Sequence, residues 1–219
     1  MKVKIALIFI ILFNFCNAQE ELDYSIFSVS ESHVDSITYF FNKMLESEGD
    51  EKIELEKLFF ESLPNNHYEM SDAMYIHLHK QHVEYKEMNK IPPINVPHPW
   101  VDYLSKMDYF DKQSYYKKYF NICIGGEYGA DHMVAGFEIY KRFLNDSETA
   151  CQELKKLNDQ DIEAVFYFIF DETHPAYNEE NIALYHEMLA KLKKRDTRLY
   201  YLLEKSYARV IKEQSQHRH

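Results

Sequence analysis

Glycine, proline and tryptophan are scarce in this chain of 219 residues, numbering 5, 6 and 1. Glycine and proline usually make up about 12% together, and all-β folds depend on them at their many turns. Their shortage therefore excludes a β-sandwich or barrel and points to helices. Cysteine is nearly as rare, at 3 residues, too few for a small disulfide-built scaffold. Positive charge is also short, with 25 Lys and Arg against 36 Asp and Glu and a net charge of −11. Hydrophobic residues make up 46% and charged residues 28%. That balance is globular and excludes general disorder, a collagen-like chain and a multi-span membrane protein. The length suits one domain of ordinary size, or at most two small ones.

The first eighteen residues have a different character. Lys2 and Lys4 give a positive start, Ile5 to Phe13 is an unbroken apolar run, and Cys16-Asn17-Ala18 precedes the polar Gln19-Glu20-Glu21. This order predicts a secretory signal peptide over residues 1–18, cleaved after Ala18, because the run is too short to span a membrane core of about 30 Å. A lipoprotein anchored on Cys16 is disfavoured by the bulky Phe15 before it, and an uncleaved N-terminal anchor is the remaining competitor. The expected product is a single helical domain over residues 19–219, exported to a periplasm or secreted. It carries 23 basic and 36 acidic residues, a net −13. Only Cys123 and Cys151 remain in it. In an oxidising compartment they would form a disulfide, unless both are buried as small hydrophobes.

Helical periodicity dominates the rest. Ser28-x-x-Glu31 has the form of a capping box, and Val34, Ile37, Phe40, Phe41, Met44 and Leu45 follow at spacings of three and four. Gly49 suits the end of that helix and Asp50 the start of the next, which Pro64 closes. A third helix is expected over 67–89, and one long or two short helices over 101–122. Met133 to Leu144 repeats the helical period, Ser147 can cap a short helix, and Asn158 or Asp159 the one after it. The run 164–170 is wholly apolar, which periodicity alone assigns to a buried strand or a buried helix. The preceding Asp-Gln-Asp-Ile-Glu favours the helix. Two more helices, near 177–194 and 197–214, complete an all-α domain of about eight to ten helices in an irregular bundle. Four of the six prolines fall in 90–100, a stretch ending in Trp100.

Charge is polarised along the chain. Residues 191–219 hold nine basic and three acidic side chains, whereas 19–190 hold 14 and 33. Arg198, Lys205, Arg209 and Lys212 fall on one stripe of the last helix, beside an apolar stripe of Leu199, Leu203, Tyr207 and Val210. The stripe reads first as a solvated face on a helix docked to the acidic body, and second as a basic surface for peripheral contact with a membrane. Nucleic acid is the weakest reading, because a strongly negative body repels phosphate.

Several constellations bear on chemistry. His77-x-His79-x-x-His82 places His79 and His82 near one another on a helix while His77 points elsewhere. With His132, His174 and His186 they are the candidate ligands of a transition metal such as zinc. Neither a His-Glu-x-x-His motif nor a paired Glu-x-x-His pattern is present. Gly125-Gly126-x-x-Gly129 lacks the Lys and Ser/Thr of a phosphate loop. It reads as a turn, or as a pocket rim with Tyr128, Asp131 and His132. No nucleophile elbow occurs. Trp100 is either a recognition residue in its proline-rich stretch or a side chain tucked beneath it. The expectation is a binding protein, not an enzyme, whose acidic body steers a basic protein partner and whose tyrosines supply contact area. An inhibitor or immunity-type protein for a basic secreted factor fits that description. A metal-dependent hydrolase and a structural component of the cell envelope are the alternatives.

Overall fold

The expected helical periods become ten helices among the residues that the computed structural model describes, 22–91, 98–107, 111–126, 139–171 and 179–216. No strand occurs among them. A single 3-10 turn at Tyr24–Ile26 precedes α1 (Glu31–Glu46), α2 (Gly49–Ser62), α3 (His67–Glu87), α4 (Pro99–Lys106) and α5 (Lys112–Cys123). Then follow α6 (Ile139–Asn145), α7 (Ser147–Leu154), α8 (Asp159–Phe170), α9 (Glu179–Lys193) and α10 (Thr197–Gln216). Residues 1–18, the expected signal peptide, lie outside the described residues.

Local chemistry accounts for most helix ends. Asn66 Oδ1 accepts from Glu69 N at 3.0 Å, Asn158 Oδ1 from Asp161 N at 2.9 Å, and Asp196 Oδ1 from Leu199 N at 2.9 Å. Such N-caps contribute about 1 kcal/mol each. The cap of α1 is not Ser28 but Ser30, whose Oγ accepts from His33 N at 3.2 Å. Ser28 instead donates from N and Oγ to Asp72 of α3, at 2.7 and 2.6 Å, and so ties the N-terminal stretch across that helix. Asp50 and Ser147 also lie inside their helices rather than at the caps, which are Glu48 and Asp146. Helix α3 ends two residues before the expected 89. Asn89 takes φ +53°, and Lys90 N then reaches Tyr85 O at 2.8 Å. This is a Schellman stop with asparagine in the left-handed position. The stretch 101–122 resolves into two helices, with 108–110 between them outside the described residues.

Burial follows the periodicity. Val34, Ile37, Phe41 and Met44 form the inner face of α1. The apolar run 164–170 is the helical part of α8, and Val165 to Phe170 are all buried. A helix apolar around most of its circumference needs neighbours on more than one side. Helix α8 has α5 on one side and α10 on another. Continuing outward, α5 also packs on α3 and α7, α3 on α1, and α1 on α2. On the other side α10 packs on α9, α9 on α6, and α6 on α7. The short α4 is held by side chains. The Tyr103 ring meets Phe41 and Phe59 at 5.9 and 6.0 Å, Tyr115 donates its hydroxyl to Leu104 O at 2.7 Å, and Arg142 Nε donates to Ser105 O at 2.7 Å. The buried apolar residues join into one core. Tyr115, Tyr116 and Tyr119 belong to that core, so these tyrosines fill the interior rather than a contact surface.

A lysine is buried in this core. Lys118 of α5 donates to Phe60 O and Leu63 O at 2.5 and 2.6 Å, and more weakly to Glu61 O at 3.4 Å. These carbonyls end α2, where the helix dipole is negative and intrahelical donors have run out. Its Nζ also sits 4.7 Å from the Phe60 ring centre. Burial pushes its pKa down to about 8, against the upward pull of Glu61. Lys118→Met keeps the stem but removes the donors. It is expected to cost about 2 kcal/mol in a urea melt, since buried carbonyls lose their partners. No measurable loss would show that the carbonyls find other donors.

The expected Cys123–Cys151 bridge is not formed. Both are free, buried thiols on the packed helices α5 and α7. They act as small core hydrophobes, the alternative use of a cysteine pair. Burial pushes the Cys123 thiol well up and that of Cys151 to about 11, so neither is a thiolate at neutral pH.

Candidate functional site

The proposed metal ligands fall in separate surroundings. His79 Nδ1 shares a hydrogen bond with the Tyr24 hydroxyl at 2.9 Å. His82 is exposed on α3, and His186 is exposed on α9, tilted against the Tyr185 ring. No group of three or more His, Cys, Asp or Glu side chains placed to hold a metal occurs among the described residues. His132, His174, Tyr128 and Asp131 lie outside them. Gly125 takes φ +88° and turns the chain after α5. Gly126 is then packed against Phe168 and His67.

The remaining histidine of that trio, His77, set aside by its direction, is buried. Its Nδ1 lies 3.0 Å from Nε2 of His98, the residue before α4. Trp100 closes the cluster, with ring centres 4.4 Å from His77 and 4.9 Å from His98. Trp100 is completely buried, so it is a core residue and not a surface anchor. The tautomers follow from the geometry. Trp100 N donates to His98 Nδ1 at 3.3 Å, so the proton of neutral His98 is on Nε2. That Nε2–H donates to His77 Nδ1, which leaves the His77 proton on Nε2, where the Gln81 side-chain nitrogen stands at 3.3 Å. The Gln81 oxygen must face it to accept. A cation held through His98 Nε2 would need the ring proton on Nδ1, directly opposite the Trp100 N–H. The pair is therefore built as a relay of neutral hydrogen bonds and is poorly suited to clamping a metal. His77 stood in the histidine constellation of α3 but was set aside, His98 belonged to no motif, and their 21-residue separation gave no sign of contact.

The C-terminal cations face acids of α8. Arg198 pairs with Asp159 at 2.6 Å and donates to Leu157 O at 3.0 Å, while Lys205 pairs with Glu163 at 2.6 Å. Arg209 pairs within its helix with Glu213 at 2.8 Å and lies 4.3 Å over the Tyr167 ring. Lys212 is exposed. Leu199, Leu203 and Val210 are fully buried, and Tyr207 stacks on Tyr185 at 3.8 Å, so the apolar stripe is covered by the body. No helix among the described residues is long and apolar enough to cross a membrane.

Acidic charge is concentrated elsewhere. Residues 31–63 hold nine acidic and three basic side chains. Glu31 and Asp35 meet Lys80, Glu46 meets Lys43 at 3.1 Å, and Glu56 accepts from the Tyr103 hydroxyl. Glu48, Asp50, Glu51, Glu54 and Glu61 are exposed, and none forms an ion pair among the described residues. Ile53 and Leu58 stand exposed between them on α2, at 54% and 41%.

The fold and these surfaces define an all-helical protein with a polarised charge distribution. No known family model, curated protein or solved structure matches the chain.

Proposed function

We propose that this is an exported binding protein whose acidic α2 face takes a basic protein partner. The reading is supported by one contrast. The cations of α10 are largely matched by acids of its own body, whereas Glu48, Asp50, Glu51, Glu54 and Glu61 of α2 and its approach are exposed and form no ion pair among the described residues. Unmatched like charges repel one another, a cost that a basic partner removes and that raises its association rate. Ile53 and Leu58 would supply apolar contact beside them. An inhibitor or immunity-type protein acting on a cationic exported factor is one form of this function.

The test uses charge reversal. Immobilised protein at about 50 mM salt is expected to retain basic exported proteins and to release them as salt approaches about 0.5 M, where screening is nearly complete. Glu54→Lys combined with Glu61→Lys should lower retention at least tenfold. Asp159→Asn, which alters an internally paired carboxylate, should leave it unchanged. Retention of acidic partners, or equal retention by the reversed variant, overturns the reading.

A further inference from the structure

We propose that the buried His77–His98 pair is an acid-sensitive latch that holds the start of α4 against α3 at neutral pH and releases it in mild acid. The hydrogen-bond relay runs in one direction, from Trp100 N–H through His98 to His77. Each imidazole lone pair already accepts an N–H, so neither ring has room for a second proton. Protonating His77 sets two N–H groups head to head across a 3.0 Å contact. Protonating His98 at Nδ1 opposes the Trp100 N–H and removes the N-cap of α4. In either case a hydrogen bond becomes a repulsion inside the core.

Among the described residues the surroundings provide no counterion. On α3 the charged group acting on His77 is Lys80, also a cation. On α1, Glu31 and Asp35 are turned to Lys80, and on α4 Asp102 pairs with Lys106 at 2.5 Å. On α2, Glu56 accepts from Tyr103, and on α5 Lys118 is held by the carbonyls of α2. Burial accordingly depresses both histidines, His77 to about 4 with Lys80 assisting, and His98 well below its ordinary value with His77 assisting. A histidine with a lowered folded pKa binds fewer protons folded than unfolded. Its contribution is complete above the unfolded value of about 6.5 and is lost as pH falls from there towards the folded value. Opening at α4 therefore takes up protons in the window from about 6.5 to 4.

Amide hydrogen exchange on the full chain, corrected for the intrinsic pH dependence of exchange, reads the latch directly. Val101 and Asp102 donate to His98 O at 3.0 and 2.9 Å, and they report the first turn of α4. Their opening constant is expected to rise by roughly three orders of magnitude between pH 7.5 and 5, from two histidines gaining access to solvent. Amides in the middle of α8 should change far less. His98→Asn keeps an N-cap and removes the titrating ring, and should flatten the rise at Val101 and Asp102. A rise of equal size in His98→Asn, or equal rises at α4 and α8, overturns the proposal. Nitrogen NMR of the wild-type histidines provides a check that needs no variant. At pH 7.5 both rings should be Nε2–H tautomers, and an Nδ1–H tautomer at His98 would refute the relay.

Discussion

Gly126→Ala is expected to destabilise the protein by about 3 kcal/mol or more, at the upper end of what overpacking a core costs. A Cβ at position 126 would lie 2.3 Å from two ring carbons of Phe168 and 2.9 Å from His67 Nδ1. Neither neighbour is a flexible chain end. Phe168 is fully buried in the last turn of α8, and His67 starts α3 with its Nδ1 3.3 Å from Ile122 O. Relief therefore requires α3, α5 or α8 to shift, and these three helices share the core. With a typical total stability of about 5–15 kcal/mol, such a loss is a large fraction of the whole. Urea unfolding of Gly126→Ala and Phe168→Leu, alone and combined, measures it. The smaller leucine should recover part of the alanine cost, a coupling expected between residues in contact. A single-variant effect within about 0.5 kcal/mol, the range of an ordinary surface substitution, would refute the account. The small residue here provides space rather than chain flexibility, which is a different use from the pocket rim that the glycine spacing suggested.

Trp100→Ala should cost a further 3–5 kcal/mol by the usual measure for a large aromatic removed from a core. The indole has no exposed surface and lies between His77, His98 and the inner face of α4. Its Nε1 is buried with no hydrogen-bond partner among the described residues. An unsatisfied donor costs about 1–3 kcal/mol, so the parent already carries part of that burden. Trp100→Phe removes the donor and keeps an aromatic ring, and is expected to lose less than half as much as Trp100→Ala. Thermal melts should separate the two, at roughly 2–4 °C per kcal/mol for a chain of this size. Equal losses for Phe and Ala would mean that the indole nitrogen contributes a hydrogen bond after all.

Helix positions and signs of charge were legible because they depend on neighbours along the chain. Val34, Ile37, Phe41 and Met44 repeat with the helical period, and Asn66, Asn158 and Asp196 cap through side chains three residues from their donors. Even the apolar run 164–170 resolved correctly into a helix from the acidic residues before it. Contacts across the fold were not legible. His77, His79 and His82 occupy one helix within six residues and carry the same chemistry. One is buried against α4, one bonds to the N-terminal stretch, and one faces water. Nothing local distinguishes them, since burial is decided by what packs on each face.

The same division holds for the remaining candidates. Sequence alone established an all-helical, acidic chain with a basic C-terminal end, because composition, period and capping are short-range properties. Tertiary structure decided that Cys123 and Cys151 stay unbridged and that Trp100 is enclosed. It also decided that Arg198 and Lys205 meet Asp159 and Glu163 while the carboxylates of α2 remain open to solvent. Those outcomes depend on distances between helices remote in sequence. Hydrophobic burial sets such distances without direction, and the pairing of individual polar groups follows only once the helices have docked.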